Sequence, residues 1–226
     1  MNLKQIYRKY SRFIKPVLYC KNRLFSVRIN NNGKNNKIIG LDSCRAMKCK
    51  IFINGSNNEI IIGDMSSLFG VQINIHGSGN SIRFGKRNFL NGAVFCIEDN
   101  KNTIQTGEHT YIYNNTEISA IESTAVCIGD DCLLSGNIMI RTGDSHVIMD
   151  KNSGERLNHS ADIQISDHVW IGNGCKVLKG AKVGRHCVVA TGAIITSTTN
   201  YCENAVLAGI PAKVTKEDIT WKQERT

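Results

Sequence analysis

From Ile165 to Pro211 the chain reads in sixes: ISDHVW, IGNGCK, VLKGAK, VGRHCV, VATGAI, ITSTTN, YCENAV, LAGIPA. The first residue of each is Ile165, Ile171, Val177, Val183, Val189, Ile195, Tyr201 or Leu207. The fifth is Val169, Cys175, Ala181, Cys187, Ala193, Thr199, Ala205 or Pro211, all small or compact. A large apolar residue every six, followed four later by a small one, matches neither the 3.6 period of an amphipathic helix nor the alternation of a half-buried strand. It fits a solenoid in which each six is a short strand plus a turn, and three sixes close one triangular coil. The aliphatic residue enters the core and the compact fifth residue fits beneath the turn. The expected fold is therefore an all-β, left-handed parallel β-helix of hexapeptide type.

A second repeat precedes the first. GKNNKIIG, GSNNEIIIG, GSGNSIRFG, NKNTIQTG and STAVCIG align on closing glycines at Gly40, Gly63, Gly85, Gly107 and Gly129, spaced by 23 and then by 22 three times. Asn36, Asn58, Asn80 and Asn102 also recur at 22. The sixes persist inside each unit, as Ile62, Leu68, Asn74, then Phe84, Leu90, Cys96, then Thr106, Ile112, Ile118, then Ile128, Leu134, Ile140. A period of 22 is thus two sixes and a ten, the same three-sided coil with about four extra residues at one corner. Gly and Asn gather there because they tolerate positive φ. About five such coils precede two regular coils of 18.

The net charge of +9 belongs to one end. Residues 1–28 hold Lys4, Arg8, Lys9, Arg12, Lys15, Lys21, Arg23 and Arg28 and no acid, leaving 20 basic against 19 acidic groups in the rest. The body is not a nucleic-acid surface. Leu3, Ile6, Tyr7, Tyr10, Phe13, Ile14, Val17 and Leu18 recur at helical spacing between the cations, so 2–20 is expected to be a basic amphipathic helix that Pro16 ends or kinks. Such a helix suits either the open end of the solenoid or an anionic membrane surface. The expected division is 1–28 for this segment, 29–213 for the β-helix with an extruded loop at 141–164, and 214–226 for a short C-terminal helical cap anchored by Trp221. The nine cysteines include Cys132, Cys175 and Cys187 in the compact fifth place, which assigns them to packing and predicts reduced thiols in a cytoplasmic protein.

Between Ile140 and Ile165 the frame of six breaks into RTGDSHVIMDKNSGERLNHSAD. A long polar interruption in a regular solenoid points to function. His146 is the leading candidate, because an imidazole can take a proton near neutral pH. Asp144, Asp150 or a backbone carbonyl could orient its ring. His159 is a rival near substrate; His168 and His186 occupy turn places; His76 and His109 belong to earlier coils with no partner visible in the sequence. No pair of histidines has metal-ligand spacing, so no metal is expected.

The run SHVIMDKNSGERLN…DIQISDHVWIGNGCKVLKGAKVG…VVATGAIITS…LAGIPAKV, within residues 141–215 and about a third of the chain, closely resembles the left-handed β-helix acyltransferases. It is most similar to sugar O-acetyltransferases acting on bacterial surface polysaccharides, and also to galactoside and maltose acetyltransferases. The resemblance implies acetyl-CoA as co-substrate, a sugar or glycan acceptor, a homotrimer with active sites between subunits, and His146 as catalytic base; Asp144, two residues from it in sequence, is taken with it as a candidate catalytic residue. It implies that Trp170 shapes the site and that Asn173, Thr191, Gly192, Ala193, Thr196 and Lys213 line the coenzyme A groove. The chain departs from the pattern at Ser197, where relatives often have Lys, and at Val147, where the galactoside and maltose enzymes usually have Pro. Localisation is expected to be cytoplasmic, or peripheral at the inner membrane face through residues 1–28. An N-acyltransferase of amino nucleotide sugars uses the same fold, and a non-catalytic β-helix scaffold is the alternative of another class.

Overall fold

The computed structural model describes residues 14–22 and 26–224. Three parallel sheets form the faces of a prism. Face A has eight strands from Val27–Asn31 to Ile194–Ile195. Face B has seven, from Lys37–Ile39 to Lys182–Val183. Face C runs from Arg45–Met47 to Val206–Gly209 and is closed by an antiparallel ninth strand, Ala212–Lys216. The chain visits A, B and C in turn, a left-handed solenoid of about 8 coils. Each residue therefore lies against its counterpart in the next coil. On face A the inward column is Ile51, Ile73, Phe95, Ile118, Ile140, Val177 and Ile195, each paired with the next. Removing such a side chain from water contributes about 1.5–3 kcal/mol, and the column makes the core one continuous rod.

The compact fifth residues Val169, Cys175, Ala181, Cys187, Ala193 and Ala205 are all buried, as the pattern requires. The frame differs from expectation at Asn74 and Cys96. Ile73 and Phe95 point inward instead, and Asn74 and Cys96 face outward. In these two coils the corner from face C to face A is one residue shorter than in the coil that follows. Gly70 and Gly92 turn it with φ of 62° and 64°; the next coil spends an extra residue there, and its inward residue falls at Ile118. Tyr201 also leaves the pattern. It is 57 % exposed, because face B has no strand beyond Val183 to carry it inward.

The ten-residue corner between faces A and B is held by a ladder of asparagines. Oδ1 of Asn36, Asn58 and Asn80 accepts from the backbone N–H of Asn58, Asn80 and Asn102 at 2.8–2.9 Å, and Asn102 accepts from Thr124 N–H at 3.0 Å. Each Nδ2 donates to a corner carbonyl, as Asn58 does to Gly77 and Asn80 to Asp99, both at 2.9 Å. These corners are also tight. A Cβ on Gly55 would collide with the carbonyl of Gly77, and one on Gly77 with that of Asp99.

At the N-terminal end residues 14–21 are helical, with helical residues on both sides of Pro16, so Pro16 does not end the helix. Asn22, 1 % exposed, then plugs into the first coil: its Nδ2 donates to the carbonyls of Leu41 and Cys44 at 2.9 Å each. That contact supports the end-cap role for this stretch. The rest of the predicted helix, residues 2–13, lies outside the described residues. No helix among the described residues is long and apolar enough to cross a membrane. The C-terminal helical cap expected at 214–226 is absent from the described residues. The chain instead turns back as Ala212–Lys216, pairing Lys213 with Ala208, and continues without regular structure. A hydrogen-bonding edge of face C is available there, and a strand satisfies it where a helix could not.

Asn80→Ala strands one buried backbone group, the N–H of Asn102, at about 1–3 kcal/mol, and removes the part-buried bond to the carbonyl of Asp99. Urea denaturation is expected to show a loss of at least ~1 kcal/mol, against under ~0.5 kcal/mol for the exposed Gln72→Ala on face A.

Candidate active site

The predicted loop emerges where the asparagine ladder ends, between the strands Met139–Arg141 and Ile163–Ile165. It folds back on itself. Met149 and Arg156 form an antiparallel bridge, and Leu157 N–H donates to Ile148 O at 2.8 Å. The tip is turned by Asp150, whose Oδ1 accepts from the N–H of Asn152 at 2.9 Å and Ser153 at 2.7 Å. Asp150 is thereby committed to its own turn, which removes it as a partner for the imidazole. Asn158 braces the centre: it is buried, and Nδ2 donates to His146 O at 2.7 Å and to Asp144 Oδ2 at 2.9 Å while Oδ1 takes Ile148 N–H at 2.7 Å.

Two ion pairs tie this hairpin to the coils on either side. Lys179 Nζ lies 2.6 Å from Asp144 Oδ2, and Arg156 reaches Glu122 Oε1 at 2.7 Å. Hydrogen bonds from Lys179, then from Asn158, hold the Asp144 carboxyl below the usual carboxylate range. Those from Arg156, then Ser160, do the same for Glu122. Asp144 was expected beside the catalytic imidazole. Its carboxylate instead serves the loop through Lys179 and Asn158, and among the described residues it makes no hydrogen bond to the His146 ring. His146 is exposed, its carbonyl anchored and its imidazole without a hydrogen bond among the described residues. His159, the rival, is exposed on the descending limb.

The residues assigned to the coenzyme groove do not gather around His146. Asn173, Thr191 and Gly192 stack at the corner between faces C and A, where Gly192 N–H donates to Asn173 O at 2.9 Å. Gly192 and Gly174 have φ of 73° and 72° with open space around a would-be Cβ, so backbone conformation rather than crowding calls for glycine. Lys213 is exposed one strand beyond this corner, opposite Ala208. Thr196 lies at the other corner, on the edge that carries the loop, its hydroxyl 2.9 Å from that of Thr198. Ala193 is a correction. It is 1 % exposed in the core, and both its N–H and its carbonyl are used within the coils, so it offers a ligand nothing.

Trp170 stands on face C, 38 % exposed, with Nε1 3.3 Å from Ser135 Oγ. It lines a cavity of about 510 Å³ with Tyr113, Ser135, Gly136 and Trp221. Trp221 is the expected anchor of the tail. It stacks on His168 at 4.3 Å, donates from Nε1 to His168 O at 2.9 Å, and presents its carbonyl to His168 Nε2 at 3.1 Å. That makes His168 structural, as its turn place suggested. The core cysteines are chemically quiet. Burial pushes the Cys132 thiol up to about 12 and that of Cys187 to about 11. His109 has a partner that went unseen in the sequence. Its Nδ1 lies 2.6 Å from Asp131 Oδ1 and its Nε2 3.1 Å from the Tyr111 hydroxyl. The signal was present, since Asp131 follows at one coil period of 22.

Comparison with known proteins gives a consistent picture. Residues 162–197 match the family model described as bacterial transferase hexapeptide (six repeats). Over 107 residues the chain is 33 % identical to the polysialic acid O-acetyltransferase of Neisseria meningitidis, covering 47 % of this chain and 49 % of that protein. Over 97 residues it is 34 % identical to the polysialic acid O-acetyltransferase of Escherichia coli O1:K1 / APEC, covering 42 % and 31 %. The matches thus span 49 % and 31 % of the length of these curated relatives, half or less. Two crystal structures superpose along most of the chain. They are the polySia-specific acetyltransferase NeuO (TM-score 0.77, 28 % identity, 88 % of this chain and 83 % of that one) and the polysialic acid O-acetyltransferase OatWY (TM-score 0.75, 27 % identity, 89 % and 92 %). The resemblance to hexapeptide acyltransferases carried by the sequence is borne out.

The two carboxylate clamps have lowered pKa values, so their contribution is present above the ordinary carboxylate range and is lost as pH falls through the lowered values. Hydrogen exchange of residues 142–162 is expected to stay slow from neutrality down to about pH 4 and to accelerate below it. Lys179→Ala should accelerate it already at neutral pH; unchanged exchange in that variant would show that the clamp does not hold the loop.

Proposed function

We propose that the protein transfers the acetyl group of acetyl-CoA to a hydroxyl of a sugar in surface-polysaccharide biosynthesis. The observation that carries this reading is the loop itself: an exposed imidazole without a hydrogen-bond partner among the described residues, set on a hairpin braced by Asn158 and two ion pairs. A passive solenoid has no use for such a brace. The similarity to sugar O-acetyltransferases supplies the reaction class.

His146 then acts as general base. Its imidazole removes the proton of the acceptor hydroxyl as that oxygen attacks the thioester carbonyl carbon. The carbonyl electrons move to oxygen, and a backbone N–H at the corner turns steadies the oxyanion. Collapse re-forms the carbonyl and breaks the C–S bond; coenzyme A leaves as thiolate and takes the proton from the imidazolium. Holding both substrates together makes an acyl-enzyme unnecessary, which agrees with the lowered acidity of the buried thiols, kept protonated by burial. Asn173, Thr191 and Gly192 form one wall of the coenzyme groove, with Trp170 at its mouth and Lys213 toward the phosphates. Asp144 and Lys179 are positioning residues that keep the hairpin in place.

Within one protomer the imidazole and this groove occupy different edges of the prism, with the width of face A between them, on the order of 15 Å for a hexapeptide side. The proposed site is therefore shared, with the loop of one copy meeting the groove of another in a homotrimer. The exposed Val147, Ile148, Met149 and Leu157 on the hairpin supply apolar surface for that contact. The reaction is placed on the cytoplasmic side, where acetyl-CoA is made.

His146→Ala is expected to fold and assemble normally and to lose at least ~10²-fold in acetyl transfer, read as coenzyme A released in the presence of a sugar panel. Near-normal turnover would remove His146 from the mechanism. Absence of sugar-dependent coenzyme A release from the unaltered protein would favour the scaffold reading, and release only with amino sugars would favour N-acylation.

A further inference from the structure

Face C differs from face B in what it shows to solvent. Strand alternation sends Leu68, Leu90, Ile112, Leu134 and Ile171 inward, so the residues between them face out. On face B the outward places of the 22-residue coils hold Glu59, Ile61, Ser81, Arg83, Thr103 and Gln105. On face C the same coils hold Ser67 and Asn91 together with four aromatic residues, Phe69, Phe89, Tyr111 and Tyr113. Their rings touch in sequence: Phe69 to Phe89 at 5.7 Å, then Phe89 to Tyr111 at 6.1 Å and to Tyr113 at 5.8 Å between centroids. Arg45 lies over Phe69 at the far end, 5.9 Å from its centroid. At the near end Tyr113 enters the cavity lined by Trp170 and Trp221, whose rings are 6.1 Å apart. Four inter-strand steps separate Phe69 from Trp170, on the order of 19 Å along the prism.

We infer that this aromatic run is a binding track for an extended glycan, on which successive sugar rings stack as the chain leads into the Trp170 cavity. The inference rests on the acceptor class proposed above and deepens it: the acceptor is a polymer or long oligosaccharide rather than a nucleotide sugar.

Three features favour a glycan over a second copy of the chain. A pyranose ring offers one face of C–H bonds, which suits the electron-rich face of an aromatic ring, and hydroxyls around its rim, which need polar partners. The track supplies both. Tyr111 carries its hydroxyl at 3.1 Å from His109 Nε2, and Asp131 fixes the other nitrogen of that ring at 2.6 Å. The rings are only half-buried, and Tyr113 keeps 37 % of its surface. The track also leads through Tyr113 into the cavity beside the proposed groove, where Leu133 and Ser135 lie between it and Trp170, while the aliphatic surface suited to copy-to-copy contact sits elsewhere, on the hairpin.

The test measures binding of two oligosaccharide series, α-linked sialic acid and α-linked glucose, each as monomer, short oligomer and long oligomer, to the full chain. Affinity should rise with length in at least one series. Phe69→Ala and Phe89→Ala should each weaken the long oligomer by about 3–10-fold, the worth of one aromatic stack, with monomer and acetyl-CoA binding unchanged. Phe89→Leu, which keeps apolar bulk, should lose the gain as well, separating the role of the ring from folding. The track is overturned if affinity is independent of length in both series, or if the variants bind the long oligomer as the unaltered protein does. It is also overturned if the variants change the oligomeric mass in light scattering, since the face would then be a contact between copies. Length-dependent binding without acetyl transfer to any series leaves the track standing and removes the proposed activity instead.

Discussion

Everything in this molecule depends on stacking like on like. In a parallel solenoid each backbone group that leaves a sheet at a corner still needs a partner, and the partner can come only from the coil above or below. The asparagine ladder answers this at the ten-residue corner. Each amide side chain accepts from the next coil's N–H and returns a hydrogen to a corner carbonyl. Once one coil has Asn there, the next gains by having it too, so the period of 22 is enforced by hydrogen bonding as well as by core volume. At the top of the column the asparagines give way to hydroxyls. Thr124 N–H donates to Asn102 Oδ1 and its hydroxyl donates to Thr142 Oγ1 at 2.7 Å, while Thr142 Oγ1 accepts from Ile121 N–H at 3.0 Å. The next residues form the hairpin. The loop thus emerges from the point where the polar column is terminated, and its insertion leaves no corner amide of the ladder without a partner.

That placement explains why the hairpin can be long and still ordered. Its root is fixed by the column, its centre by Asn158, and its flanks by Glu122 in the coil before and Lys179 in the coil after. Exposed ion pairs contribute little singly, about 0–1 kcal/mol. Two of them acting on one short segment restrict it more than their stability alone suggests, because each removes freedom that the other would otherwise have to remove.

The sequence made the fold legible wherever one residue type repeats for one physical reason. Inward aliphatics, compact fifth residues, corner glycines and the asparagine ladder all repeat, and the break between Ile140 and Ile165 was visible against them. Features that depend on what lies beside a residue were harder to read. Asn74 and Cys96 fit a rigid count of six, but Gly70 and Gly92 turn their corner in one residue fewer, and no count reveals that. The C-terminal stretch has a helix-compatible composition, yet an open edge of face C was there to be paired. Ala193 sits inside a motif associated with a ligand and is nonetheless core. Asp144 is close to His146 in sequence, yet Lys179, thirty-five residues on, is its partner. His109 and Asp131 show the reverse case, a pair that the coil period brings together and that linear proximity conceals.

The geometry also bears on how the proposed shared site would be assembled. His146 belongs to the insertion between the strands Met139–Arg141 and Ile163–Ile165, and Trp170 and Asn173 follow directly in the same coil. The two half-sites therefore stand at nearly the same height on the prism, on different edges. A cyclic assembly whose rotation axis runs parallel to the solenoid leaves height unchanged and rotates only the edges. Under that symmetry the loop of one copy reaches the groove of its neighbour without tilt or axial slip. Had the insertion arisen one corner later, it would project from the edge between faces B and C, away from face A. Had it arisen several coils earlier, rotation about a parallel axis could never raise it to the groove. The position of the loop, at the corner where the ladder ends and in the coil that carries Trp170, is thus what makes a shared site compatible with simple rotational symmetry.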